Sequence, residues 1–143
     1  MKRYITVKYD RSIMTPSECV KIVSDLEQKG LYLNRSGLFL TPQTQKMTEE
    51  DIVKNFNVLH KAYKITPFLL ITTSKKGLVG SYGLKHTVEK TMQENYISNG
   101  DIILVMLCLG YALTKQLFDN SNPNCVFNAK YAKHDFKPEF DRI

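Results

Sequence analysis

SYGLKHTVEKTMQENYISNGDIILVMLCLG, residues 81–110, sets the most punctuated polar sequence of the chain directly before its longest apolar run. Ile102 to Leu109 is uninterrupted by any polar residue, and a helix that is apolar on every side has to be buried. Ser98 or Asn99 caps that helix, and Gly110 marks its end. Ahead of it, Ser81 reads as the cap of another helix, roughly Tyr82 to Gln93, whose exposed positions are polar. The short link from Glu94 to Ser98 suggests a helix-turn-helix pair. A recognition helix must present polar and basic side chains to a groove, however, and the second helix has none to present. It is therefore a core strut, and any external contact falls to the first helix through Lys85, His86, Thr87 and Lys90.

On the amino-terminal side, Arg3 to Tyr9 alternates β-branched and aromatic residues with polar ones, which predicts a strand. Thr15-Pro16-Ser17-Glu18 predicts a helix start with a capping box closed by Glu18. Cys19, Ile22, Val23 and Leu26 then recur at helical spacing up to Gly30. Leu31 to Leu33 and Leu38 to Leu40 flank the turn Asn34-Arg35-Ser36-Gly37, a small hairpin. Thr48 caps a second helix with Glu49, Glu50 and Asp51 in its first turn. Ile52, Phe56, Leu59 and Tyr63 line its inner face, and Pro67 stops it. Phe68 to Thr73 fits a buried strand or a short core helix, with Thr and Ile content favouring the strand, and Lys75-Lys76-Gly77 reads as a turn.

Beyond Gly110, Tyr111 to Phe118 is expected to continue as a helical turn or two. Asn120 to Asn124 forms a turn, and Cys125 to Tyr131 returns as a strand. Asn122, Asn124 and Asn128 read as turn and strand-end residues. Residues 1–131 thus form a single compact α+β domain. A small, mostly antiparallel sheet packs with three to four helices, the apolar helix 99–110 central. Residues 132–143 form a charged, Pro-interrupted tail, expected to fray unless Phe136 and Phe140 dock on a partner.

The 143 residues suffice for one hydrophobic core. The opening MKRYITVKYDRS has no signal-peptide core, and no apolar run reaches the twenty or so residues that span a bilayer. An intracellular protein without a membrane partner is expected. Cys19, Cys108 and Cys125 are scattered and lack metal-ligand spacing, which argues against a disulfide framework and a structural zinc. No metal and no cofactor is expected.

Formal charge is +6, and it is segregated. Residues 61–93 hold six lysines and one glutamate, net +5, whereas residues 94–128 carry net −2. Lys75, Lys76, Lys85 and Lys90, with Ser81, Tyr82 and His86 between them and Tyr96 nearby, form a basic patch with interleaved aromatics. That composition suits phosphate contacts and base stacking, although lysines often form only a solvated surface and read bases poorly without arginine. Gly77, Gly80 and Gly83 precede the helix without P-loop or dinucleotide-binding spacing. His86 and Glu89 share a helix face, so a general base with an orienting carboxylate is the enzymatic alternative. An ordinary ion pair on a solvated face explains the same residues, and His60 and His134 do not complete a metal set.

Ser81-Tyr82-Gly83-Leu84-Lys85-His86 with Glu89, then Tyr96 to Gly100, then Gly110-Tyr111, and finally Asn124 with Phe127-Asn128 resembles a pattern in small uncharacterised proteins of phages, viruses and mobile elements. The resemblance spans residues 81–128 and implies a setting rather than a mechanism. Three functions follow as expectations. The first is a phage- or virus-type accessory protein binding nucleic acid through Lys75, Lys76, Ser81, Tyr82, Lys85, His86 and Lys90. The second is an inhibitor or structural adaptor acting on a host or viral protein, and the third an enzyme using His86 and Glu89.

Overall fold

The computed structural model describes residues 4–72, 78–93, 96–117 and 121–132. The elements are β1 (Tyr4–Val7), α1 (Pro16–Gln28), β2 (Tyr32–Asn34), β3 (Gly37–Phe39), α2 (Glu49–Lys54), α3 (Phe56–Leu69), β4 (Leu70–Thr72), β5 (Val79–Gly80), α4 (Ser81–Met92), α5 (Asn99–Cys108), β6 (Leu113–Gln116), β7 (Val126–Phe127) and β8 (Ala129–Tyr131). The fold is α+β, as the sequence predicts.

Every residue of α5 is buried, and the helix packs on α1, α3 and α4. Each large aliphatic side chain so enclosed contributes about 1.5–3 kcal/mol, so this one helix supplies much of the core. Its start is fixed by a capping box. Ser98 Oγ accepts the Asp101 N–H at 3.0 Å, and the Asp101 carboxylate accepts the Ser98 N–H at 3.2 Å. Asn55 Nδ2 donates to the same carboxylate at 2.9 Å.

β1, β6, β7 and β5 form an antiparallel sheet in that order. Partners across an antiparallel pair share a face. Val7, Leu113, Phe127 and Val79 therefore form one inward row, all buried against the helices. Thr6, Thr114, Val126 and Gly80 form the matching outward row, exposed or half-exposed. β2 and β3 make the expected hairpin, and β4 pairs with β8.

α1 buries Cys19, Ile22, Val23 and Leu26 as its periodicity predicts. Its cap is only half of a capping box: Thr15 Oγ1 accepts the Glu18 N–H at 3.1 Å, while the Glu18 carboxylate faces Lys21 instead. Cys19 meets Cys108 of α5 in the core, where the hydrogen bond between them and burial push the Cys19 thiol up.

Four expectations need correction. The single helix expected after Thr48 is two, parted at Asn55, and the second passes through Pro67 to Leu69. Proline costs that helix only one N–H near its end. Burial of Ala62, Thr66 and Leu69 along one face holds it together, with the Thr66 hydroxyl donating to the Ala62 carbonyl at 2.7 Å. Phe68 to Thr72 is accordingly split, its first two residues helical and Leu70–Thr72 the strand β4. It is not the buried strand expected, since Phe68, Ile71 and Thr72 are exposed; Thr73 lies outside the described residues. The helical turns expected from Tyr111 to Phe118 are not formed over Tyr111 to Leu117, since Leu113–Gln116 is the strand β6 between β1 and β7, and Phe118 lies outside the described residues. Gly110, at φ +86°, turns the chain there, with its Cα face closed off by the Arg11 backbone. The single return strand is β7 and β8, separated at Asn128, whose N–H donates to the Ala112 carbonyl at 2.9 Å. The turn at residues 75–77 and the tail at 133–143 lie outside the described residues.

Two carboxylates tie these elements together and set an acid limit. Asp51 accepts the Thr48 N–H at 3.0 Å and its hydroxyl at 2.8 Å, which with Arg35 and Lys54 nearby holds its carboxyl below the usual range. Asp25 is held down by Lys29 at 2.6 Å and by the Tyr9 hydroxyl. A lowered folded-state pKa adds stability that is present above the unfolded value, about 4, and is lost as pH falls through the folded one. Urea midpoints are therefore expected to fall as pH drops below about 4, and Asp51→Asn should make that fall shallower. An unchanged acid profile in Asp51→Asn would remove this residue from the explanation.

Candidate functional site

α4 begins where the outward row of the sheet ends, so its first turn stands beside the exposed sheet face. Ser81 is not its cap. Gly80 is the N-cap, and Ser81 is the first helical residue, fully buried. The Ser81 N–H donates to the Cys125 carbonyl at 2.9 Å, and its Oγ accepts the Cys125 N–H at 3.2 Å. Both polar groups thereby stitch α4 to the segment before β7, and Ser81 lies off the exposed face of α4, in the lining of the cavity at its start.

Helical spacing of four places Tyr82, His86 and Lys90 in one exposed row along α4. Tyr82 is 55% exposed, and its ring meets the His86 ring edge-on at 4.6 Å. Thr87 and Thr91 turn their hydroxyls back onto the Gly83 and Thr87 carbonyls, at 3.2 and 3.0 Å.

Lys85 departs from its expected role. It is only 8% exposed, its ammonium bonded to Glu89 Oε1 at 2.9 Å and lying 4.6 Å from the centre of the Tyr96 ring. Enclosed and neutralised, it supports the helix face rather than forming part of a lysine stripe. Its cation–π contact contributes roughly 0.5–2 kcal/mol toward fixing Tyr96, which stays 61% exposed. Glu89 is the hub of this group. Oε1 also faces His86 Nδ1 at 3.3 Å, and Oε2 accepts the Ile97 N–H at 3.2 Å, tying the start of α5 to α4. His86 and Glu89 are thus brought together, but Glu89 is occupied by three partners and neither residue lines the cavity at the start of α4. Lys75 and Lys76 lie outside the described residues.

That cavity, of about 250 Å³, has Tyr4 of β1 and Tyr82 of α4 in its walls, with Gln116, Asn122 and Asn124. Lys115 also lines it, although it is 2% exposed. The Lys115 ammonium donates to the carbonyls of Asn122 and Asn124, the latter at 3.1 Å, holding that loop against the sheet. Beside it, burial pushes the Cys125 thiol up to about 12. None of this had a local signal in the sequence. A lysine reads as a surface residue, and only the register of β6 against β1 and β7 turns this one inward.

No protein-family model, curated protein or solved structure matches the chain. Among the described residues there is no group of three or more potential metal ligands, and no helix long and apolar enough to cross a membrane.

Proposed function

We propose that this chain is a small phage- or virus-type accessory protein that binds nucleic acid through the exposed face of α4. The observation that carries this reading is the row Tyr82, His86 and Lys90. It is an aromatic, an imidazole and a cation at one-turn spacing, on the segment whose lysines give residues 61–93 a net charge of +5. Phosphates supply the affinity in such a contact and exposed rings stack on bases. The surface differs from the one expected from sequence. Ser81 and Lys85 are removed from it, Tyr96 stays exposed beside it as expected, and Lys75 and Lys76 lead into it along the chain.

Binding to a labelled oligonucleotide at low salt is expected to weaken steeply as salt rises, and Lys75→Glu with Lys76→Glu should abolish it. Absence of any DNA or RNA binding at low salt would end this reading. The exposed Tyr82 and Tyr96 also favour a second one, a protein-binding inhibitor or adaptor. Capture of one dominant protein that survives moderate salt and nuclease treatment would favour it over the first.

A further inference from the structure

We infer that the cavity at the start of α4 receives an unpaired nucleobase, so that the nucleic acid bound is single-stranded. This rests on the nucleic-acid reading above and deepens it. At about 250 Å³ the space lies below the range of drug-sized sites and suits one ring system. Two of its walls are aromatic: Tyr4, 40% exposed, and Tyr82, 55% exposed, reach it from β1 and α4. Every base has a π-face that stacks on such rings.

The polar lining is biased toward donors. Asn122 Oδ1 already accepts the Asn124 N–H at 2.9 Å, and Asn124 Oδ1 accepts Asn99 Nδ2 at 3.0 Å. Both asparagines keep side-chain NH2 donors and line the cavity together with Gln116, whose amide offers a further donor. A matching ligand is flat, rich in acceptors and linked to negative charge. A thymine or uracil ring, with two carbonyl oxygens on a phosphodiester chain, has those properties. An apolar side chain of a peptide leaves the amide donors without a partner, and a bare phosphate leaves both tyrosines unused. In a duplex the bases are stacked and paired, so none reaches the cavity without being flipped out.

The experiment is a fluorescence-polarisation titration of the full chain with labelled oligothymidylate, oligocytidylate and a duplex of equal length at low salt. Oligothymidylate is expected to bind most tightly and the duplex at least about tenfold more weakly. Tyr4→Ala and Tyr82→Ala should each weaken oligothymidylate binding about tenfold and leave the duplex unchanged. Gln116→Glu, a substitution at a half-exposed strand position, should do the same without altering thermal stability, by replacing a donor with a carboxylate. Irradiation of a 4-thiothymidine oligonucleotide should crosslink to the peptides holding Tyr4 or Tyr82. Equal affinity for single strand and duplex, unmoved by all three substitutions, would overturn the base-binding cavity while leaving nucleic-acid binding standing. Binding of none of the three would overturn both.

Discussion

Gly100→Ala is expected to cost about 3 kcal/mol or more, at or above the upper end of ordinary overpacking, and to lower the melting temperature by roughly 10 °C. A Cβ at Gly100 would lie 1.8 Å from the Asn34 carbonyl oxygen and 2.8 Å from its carbon. Both atoms are backbone of the β2–β3 turn, so no side-chain rotation relieves the clash. The turn cannot simply withdraw, because the Gly100 N–H donates to the Arg35 carbonyl at 3.0 Å and the Leu38 N–H to the Pro123 carbonyl at 2.9 Å. Moving it breaks the seam on which α5 is seated. Gly83→Ala is the control: nothing lies within 4 Å of its Cβ, and in a helix alanine is favoured over glycine by about 1 kcal/mol. Urea denaturation of both variants decides the matter. A neutral Gly100→Ala would mean that the hairpin is not packed on α5 as described.

Lys115→Met should destabilise the fold by ~2–4 kcal/mol and loosen residues 121–125. Methionine keeps most of the apolar stem but cannot hydrogen-bond, so the Asn122 and Asn124 carbonyls lose their ammonium donor. Removing a buried charge also returns its desolvation cost, which offsets part of the loss. The net sign follows from taking the donor, itself 2% exposed, away from two loop carbonyls at once. Chemical denaturation measures the stability, and amide exchange at Cys125, whose N–H donates to Ser81 Oγ, reports the loop. An unchanged midpoint with unchanged protection would show that the ammonium does not hold the loop.

How much of this was legible from sequence depended on whether the deciding interaction was local. Helix α1 and the capped start of α5 were readable because caps and apolar periodicity lie within a few residues of one another. The burial of α5 followed from an apolar run with no polar side at all. β6 was not readable, because its buried positions are Leu113 and Lys115, and a lysine breaks the alternation that announces a strand. Pro67 misled for a related reason. Its local cost was clear, whereas the tertiary burial of Ala62, Thr66 and Leu69 that outweighs it was not. At the candidate site, helical spacing put His86 and Glu89 on one face, where the structure has them 3.3 Å apart. It could not show that Lys85 turns inward to Glu89 and Tyr96, or that Tyr4, nearly eighty residues earlier in the chain, shares a cavity with Tyr82.

Nucleic-acid binding by this chain is tested most directly by a polarisation titration of labelled oligothymidylate against rising salt, with the unaltered chain and the Lys75→Glu, Lys76→Glu variant. For the unaltered chain, log affinity should fall linearly with log salt, by about 0.7 for each phosphate neutralised on a single strand, and the variant should not bind. A chain that binds neither DNA nor RNA at low salt, or whose affinity is indifferent to salt and to both substitutions, would contradict it.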